Sequence, residues 1–261
     1  MKLRVAINGG KSPQAQPERD AGFIPHRLMR SGRIQTIASS YPLRGLGSTL
    51  PGEQVVILDA GPDETGYDEG VRLFGYYNRS EGKGLSRGLV ISLHGWEGSS
   101  HSAYNLIIGR RLLAEGYDLM RLNLRDHGPH LHVNPYALNQ GLFLGTLLAE
   151  SHLAVQRVAA WAHELPVYLV GPSMGGNFVL RMAARHRQSP IPNLRRVVAI
   201  SPAVNPAKST DRIDTQYPFR RYFRDRWLRS VLAKEQLFPH LYEFAPLVNM
   251  ARLRTMTEWL V

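Results

Sequence analysis

A short serine motif flanked by glycines is the feature of this sequence that most directly indicates chemistry. Ser173 is the central residue of segment 171–175 (Gly-Pro-Ser-Met-Gly), which follows an apolar run and precedes a helical pattern. This strand–turn–helix setting is typical of a nucleophilic serine, whose sharp turn needs glycines because a Cβ would clash with nearby backbone. We therefore predict that Ser173 is a catalytic nucleophile, and the alternative is an ordinary turn of small residues.

A second turn could supply the other groups that hydrolysis at a serine requires. Residues 94–98 read His-Gly-Trp-Glu-Gly and follow the apolar run 89–93. A tetrahedral oxyanion needs two N–H donors, one from the residue after the serine and one from the loop after an earlier strand. We therefore predict that the backbone N–H groups of Met174 and Trp96 form an oxyanion hole. His94 is interpreted as a structural residue whose backbone matters more than its ring.

Acidic and imidazole side chains cluster in a third segment, residues 126–132, which holds Asp126, His127, His130 and His132. Clusters of this kind bind zinc or iron, so a metal site is one hypothesis. The spacing matches no common zinc pattern, and we predict a polar loop near the mouth of the site with no metal. A third interpretation is that one of these histidines shapes the substrate pocket.

Strand and helix patterns alternate around these three segments. Apolar runs predict six strands, at 53–60, 71–77, 89–93, 119–124, 167–170 and 197–200. Apolar residues at helical spacing predict helices over 103–115, 144–161 and 177–187. Runs without strict alternation suit strands that are covered on both faces. The sequence therefore predicts an α/β fold with a mostly parallel sheet, helices on both faces and a core domain over residues 22–202.

Composition excludes several classes of protein. The chain has 261 residues and no cysteine, which rules out disulfides and cysteine-based metal sites or nucleophiles. It has no apolar stretch long enough for a transmembrane helix. Residues 1–21 read as a polar N-terminal extension rather than a signal peptide, and a cytoplasmic location is expected. The net charge of +11 indicates either an anionic partner or an acidic portion that this sequence lacks.

Residues 203–261 have a helical pattern interrupted by prolines, and we interpret them as a helical cap. Residues 217–234 carry six arginines or lysines against one acid, Asp225, with five aromatic residues interleaved. Such a segment could contact an anionic membrane surface or RNA. Because the arginines and the aromatics do not separate onto two helical faces, we favour a cap helix over a pocket. No nucleic-acid partner is expected, and peripheral contact with an anionic membrane is kept as an alternative.

Five segments, taken in order, give the sequence a family resemblance. They are residues 32–37, 93–100, 123–128, 171–177 and 220–227, and they resemble the YheT-like branch of the α/β-hydrolases, which includes the abhydrolase-domain esterases and phospholipases. The resemblance extends over residues 22–261. It implies the α/β-hydrolase fold and a serine esterase that acts on short or medium acyl esters or lipid esters. It also implies no cofactor, and it matches Ser173 to the charge-relay serine.

The acid and base of a charge relay are missing from the places where that resemblance would put them. After Ser201 the chain has six acidic residues and one histidine, His240, and none follows a predicted strand. We therefore expect the last two strands of the fold to be absent and the cap segment to be truncated. The strand at 197–200 would then be an open edge, through which the chain could self-associate. The pattern at 255–258 predicts a capping box that begins a helix.

Three functions remain open at this point. The first is a serine esterase whose acid and base are lost or come from outside the chain, with His127 or His130 as a less favoured substitute base. The second is an inactive remnant of a hydrolase that binds acyl ligands or a partner. The third is a metal-dependent hydrolase that uses residues 126–132. A small-molecule ester is the substrate expected for the first.

Overall fold

Residues 24, 26–39, 47–80, 84–130 and 133–260 are described by the computed structural model. The chain divides into two units, residues 1–41 and residues 42–261. In the first unit a 3-10 turn at Arg27–Met29 precedes helix α1 (Gly32–Ser39). The polar extension predicted for residues 1–21 lies outside the described residues. Every other described element belongs to the second unit.

A six-stranded sheet forms the centre of the second unit, in the order β1-β2-β4-β3-β5-β6. β2 runs antiparallel to β1 and β4, whereas β3, β4, β5 and β6 are mutually parallel. The mostly parallel sheet predicted from the sequence is therefore confirmed. β6 has no further strand neighbour among the described residues, and it is partly exposed along its length. The strands are β1 (Gln54–Asp59), β2 (Arg72–Asn78), β3 (Leu89–Leu93), β4 (Asp118–Leu122), β5 (Val167–Pro172) and β6 (Leu194–Ile200).

Apolar clusters cover both faces of the sheet, which explains why its strands read as continuous apolar runs. Ile91 of β3 is fully buried in a cluster with Val155 and Phe178 from the helices on one face. Its neighbour Val90 points the other way and packs with Leu106 on the opposite face. Helices on both faces, as predicted, therefore enclose β3 completely.

Three helices connect the parallel strands: α2 (Ala103–Ala114), α3 (Leu148–Ala160) and α4 (Met174–Arg185). α3 begins later than the predicted residue 144 because residues 144–148 form tight turns, with the Leu147 N–H donating to the Leu144 carbonyl over 3.0 Å. α4 begins earlier than predicted, directly after Ser173. Among the described residues, no helix combines the length and the apolar character that a membrane crossing requires.

Four helices follow β6: α5 (Pro206–Asp214), α6 (Tyr217–Leu237), α7 (Ala245–Val248) and α8 (Leu253–Leu260). They pack around a third apolar cluster that includes Val231, Phe244 and Met256. The capping box predicted at 255–258 is wrong, because α8 already begins at Leu253. Its first N–H groups, those of Leu253 and Arg254, donate to the two carboxylate oxygens of Asp214 over 2.9 and 3.0 Å. A carboxylate from a distant part of the chain thus replaces the local cap.

Asp214→Ala should lower the free energy of unfolding by about 1–2 kcal/mol, because it leaves two N–H groups at the start of α8 without acceptors. Asp211→Ala is the matched control, since Asp211 makes only an exposed ion pair with Arg254, and such a pair contributes about 0–1 kcal/mol. Urea unfolding of both variants measures the difference. Equal losses in the two variants would contradict a capping role for Asp214.

Candidate active site

Ser173 lies between β5 and α4 in a strained backbone conformation, with φ +52° and ψ −117°. Residues other than glycine rarely adopt such angles, and they persist only where the surroundings enforce them. Here the Ser173 N–H donates to the Ile200 carbonyl over 2.9 Å, and the Ser173 carbonyl accepts from the Ala203 N–H over 3.2 Å. The end of β6 therefore holds the turn. Ser173 is exposed, and no described residue hydrogen-bonds its hydroxyl.

Two glycines make this turn sterically feasible. A Cβ on Gly171 would lie 2.4 Å from the backbone of Gly175, and a Cβ on Gly175 would lie 2.6 Å from the carbonyl oxygen of His94. Carbon atoms do not approach other atoms this closely, so each position needs a glycine. The close packing of α4 against the end of β3 therefore depends on the motif that the sequence displays.

The turn Gly95–Gly98 lies beside the serine. A Cβ built on Gly95 would be 3.5 Å from the Cβ of Ser173. The Gly98 N–H closes the turn on the Gly95 carbonyl over 2.9 Å, and the Gly95 N–H donates to the Tyr104 hydroxyl over 2.8 Å. Among the described residues, nothing accepts a hydrogen bond from the N–H of Trp96 or of Met174. The N–H groups of Trp96 and Met174, which we predict to be the oxyanion donors, are therefore unpaired. Both lie on segments beside Ser173.

The His94 ring links the Gly95–Gly98 turn to the loop after β4 through two hydrogen bonds. Its Nε2 accepts from the Leu124 N–H over 3.1 Å, so the proton is on Nδ1, which donates to the Gly95 carbonyl over 2.8 Å. Complete burial, together with the nearby His127 ring, lowers the pKa of His94 to about 3. The ring is therefore neutral and structural in its contacts.

Arg125, in the loop after β4, is a buried charge with three partners. Its guanidinium pairs with the carboxylate of Glu150 on α3, and it donates to Asp63 over 2.7 Å and to Thr65 over 3.3 Å. Burial raises the pKa of Asp63, but hydrogen bonds from Thr65 and Arg125 outweigh it and bring that pKa down to about 2. The loop that contains Asp63 and helix α3 are therefore joined to the end of β4.

Asp126 is the adjacent buried charge and takes its partner from α6. Lys234, which is fully buried, donates to Asp126 over 2.7 Å and to the carbonyls of Tyr136 and Asn139 over 3.0 and 2.6 Å. The second Asp126 oxygen accepts from the Phe143 N–H over 2.7 Å. Burial lowers the pKa of Lys234 and raises the pKa of Asp126, while the charge of each partner opposes these shifts.

The predicted histidine cluster does not form a metal site in the described part of the chain, where no three ligands of the His, Cys, Asp or Glu type converge. Both Asp126 oxygens are occupied. His127 is buried, with Nδ1 2.7 Å from the Arg125 carbonyl and its ring against those of His94 and Phe143. His130 is exposed, and His132 lies outside the described residues. Neither His127 nor His130 hydrogen-bonds to Ser173 in the described structure.

A series of hydrogen bonds links a serine, a histidine and a glutamate other than the predicted site residues, and it was not predicted from the sequence. The Ser100 hydroxyl lies 3.0 Å from Nδ1 of His101, whose Nε2 lies 2.9 Å from Glu53. The order of the ring nitrogens is the reverse of a hydrolase triad, in which Nε2 faces the serine. Ser100 is completely buried, and Glu53 also pairs with Arg121. This series of hydrogen bonds is therefore structural.

The acids after Ser201 serve other contacts. Asp214 caps α8, Asp225 pairs with Arg221 and Arg224, and Glu235 accepts from the Phe244 N–H. His240 is exposed, and its ring packs near that of Phe238. Within the described residues, no pair of histidine and carboxylate accompanies Ser173.

The family comparison matches the part of the chain that contains Ser173 and the turn beside it. The family model described as serine aminopeptidase, S33, matches residues 84–243, which is more than half of the chain. The chain belongs to this S33 family of hydrolases. The match includes the Gly95–Gly98 turn, the loop after β4, Ser173 and α6. Membership of the S33 family agrees with the α/β-hydrolase fold, whereas the YheT-like branch stays a prediction.

Three of the solved structures that this chain resembles are esterases by name. Est1E from Butyrivibrio proteoclasticus is 21% identical, with 55% of this chain and 52% of that chain covered and a TM-score of 0.40. Brefeldin A esterase, a bacterial homologue of human hormone-sensitive lipase, is 16% identical (65% and 45% covered, TM-score 0.43). Bacterial heroin esterase is 14% identical (61% and 47% covered, TM-score 0.41). The chain thus spans about half the length of each. No curated protein sequence matches it significantly.

Lys234→Met should lower the free energy of unfolding by about 3–5 kcal/mol, because it leaves the buried Asp126 carboxylate without its counter-charge. Adding Asp126→Asn should recover part of this loss, since the unpaired charge is then gone. Lys208→Met, at an exposed position on α5, is the control and should change stability by less than about 0.5 kcal/mol. Chemical denaturation measures all three. A single-variant loss no larger than the control would contradict the role of the pair.

The neutral His94 predicts a particular dependence of stability on pH. The unfolded chain takes up a proton at His94 below its ordinary pKa of 6.5, but the folded chain does so only near 3. Stability contributed by His94 is therefore lost as pH falls through this window, by up to about 1.4 kcal/mol per pH unit. His94→Gln should show a shallower slope of unfolding free energy than the wild type between about pH 7 and pH 5. Equal slopes for the two proteins would refute the assignment.

Proposed function

We propose that this S33-family chain hydrolyses carboxylic esters with Ser173 as the nucleophile and the N–H groups of Trp96 and Met174 as oxyanion donors. One observation carries the proposal: an exposed serine with a free hydroxyl lies in a strained turn, and the N–H groups of Trp96 and Met174, on the two segments beside it, have no partner in the described structure. Strain of this kind is concentrated at functional sites, and unpaired N–H groups suit a charge that exists only during the reaction.

The proposed reaction follows from these groups. The Ser173 hydroxyl adds to the ester carbonyl, and the two N–H groups stabilise the resulting oxyanion. The alcohol then leaves, and water hydrolyses the acyl-serine to release the acid. A base must take the hydroxyl proton in the first step. No described histidine hydrogen-bonds to Ser173, so we assign the base and its acid to no described residue.

We further propose a short or medium acyl chain, or a lipid, as the acid part of the ester. The structure has an apolar cavity that suits such a chain, although Ser173, Trp96 and Met174 do not line it. Its volume is about 510 Å³, within the range of ligand sites, roughly 300–1,000 Å³. Most of its walls are apolar or aromatic, formed by Leu142, Leu144, Leu147, Tyr242 and Phe244. An aromatic and aliphatic lining favours a hydrocarbon chain over a charged peptide terminus.

Two further predictions concern partners. The edge strand β6 exposes Val198 and Ile200 by 49% and 41%, which supports self-association through this edge. On α6, Arg224 donates to carbonyls of residues 248 and 250, so it is not a free membrane contact. Arg221 and Arg229 remain exposed, and contact with an anionic membrane stays a prediction, as does the cytoplasmic location.

Purified wild-type protein should hydrolyse p-nitrophenyl butyrate, and Ser173→Ala should lower kcat by at least about 10³-fold because the nucleophile is gone. The control is Ser209→Ala, whose hydroxyl donates only within α5, to the Asn205 carbonyl. A fluorophosphonate probe should label the wild type and the control but not Ser173→Ala. Equal turnover by wild type and Ser173→Ala would refute the proposal. No turnover by the wild type would also refute it, and would favour a protein that only binds its ligand.

A further inference from the structure

One face of α6 is directed at the Gly95–Gly98 turn. Residues 223, 226, 227 and 230 are separated by three, four and seven positions, a spacing that places side chains on the same side of a helix. All four contact this turn: Phe223 and Trp227 contact Trp96, whereas Arg226 and Ser230 contact Glu97. A face that mixes aromatic and polar residues is unusual for an amphipathic helix. Here it matches the two residues that it contacts, the aromatic Trp96 and the polar Glu97.

The aromatic half of this face holds the side chain of Trp96. Its ring stacks on Phe223, with centroids 5.4 Å apart and an angle of 5° between the planes. Trp227 meets the same ring edge-on, with centroids 5.3 Å apart. Both geometries are favourable for aromatic pairs. Because the indole is fixed on α6, the backbone of Trp96 can move only if three large rings repack.

The polar half holds Glu97, whose backbone is strained. Glu97 has φ +54° at the third position of a four-residue turn, where a positive φ normally requires glycine or asparagine. Arg226 Nη2 donates to the Glu97 carbonyl over 2.8 Å, and the Ser230 hydroxyl donates to its carboxylate over 2.7 Å. Contacts from α6 therefore stabilise a conformation that the residue type disfavours.

We propose that this face of α6 is a clamp that positions the Trp96 N–H, and that Arg226 is a positioning residue for the reaction. The inference rests on the proposed function, because the clamp touches no reacting atom and acts only through the oxyanion donor. An oxyanion forms after the substrate has bound, so a misplaced donor weakens binding of the transition state and leaves binding of the substrate largely unchanged. Loss of the clamp should therefore lower kcat and leave KM alone.

The test compares three full-length variants with the wild type. Arg226→Met removes the donor to Glu97, Arg226→Lys restores a single donor, and Arg229→Met is the matched control. Arg229 lies on the same helix but donates only to the Asp225 carbonyl within it. Two readouts are measured: hydrogen exchange of the Gly98 amide by NMR, which reports opening of the turn, and kcat and KM for p-nitrophenyl butyrate.

Arg226→Met should speed Gly98 exchange and lower kcat by about 10-fold or more, with KM unchanged within about 2-fold. Arg226→Lys should be intermediate, and Arg229→Met should match the wild type. If Arg226→Met does not fold, Ser230→Ala makes the same comparison by removing the donor to the Glu97 carboxylate.

Unchanged Gly98 exchange in the folded variants would overturn the clamp. Faster exchange with unchanged kcat would overturn the positioning role. A wild-type protein without turnover would refute the proposed function instead, and the exchange measurement would then decide on the clamp alone.

Discussion

Two opposite charges on neighbouring residues, Arg125 and Asp126, must both be buried where β4 ends. Arg125 pairs with Asp63 and Glu150. Asp126 has a positive φ of +59° and pairs with Lys234 instead. Either charge left unpaired at such depth would cost several kcal/mol. A single dipeptide therefore constrains the loop after β1, helix α3 and helix α6 at once. Because Lys234 is on the same helix as the residues that contact the Gly95–Gly98 turn, this ion pair also fixes where α6 lies over the site.

Backbone strain is concentrated at the edge of the sheet that these contacts surround. Glu97, Asp126 and Ser173 follow β3, β4 and β5, and all three have positive φ without being glycine. Each such residue costs about 1–3 kcal/mol, so each needs compensation. Glu97 is held by Arg226 and Ser230, Asp126 by Lys234, and Ser173 by the carbonyl and N–H at the end of β6. In the proposed reaction, strain that is held in this way would fix the Trp96 N–H and the Ser173 hydroxyl before a substrate binds, which is what electrostatic preorganisation requires.

The sequence revealed the local parts of this arrangement but not the long-range ones. Strand β3 and the turn at Ser173 could be predicted, because apolar runs and glycine positions are encoded within a few residues. The start of α8 could not, since its cap is Asp214 on another helix. The burial of Lys234 could not either, because a single lysine in a basic segment gives no local sign of a carboxylate that is 108 positions away. The sequence showed that arginines and aromatic residues share a face of α6. It did not show the reason, which is that this face contacts Trp96 and Glu97.

The hydrogen-bond partners of some arginines explain how the folded chain accommodates a net charge of +11. Arg181 donates to the carbonyls of residues 145 and 146, and Arg226 donates to that of Glu97. A carbonyl satisfies a guanidinium's hydrogen bonds without adding a negative charge, so these two arginines need no acidic partner. Part of the positive charge lies near the candidate site, where Arg226 is held against the turn beside Ser173. In the proposed reaction, attack by Ser173 on an ester would create an oxyanion beside this turn, and a positive potential there has the sign that stabilises it.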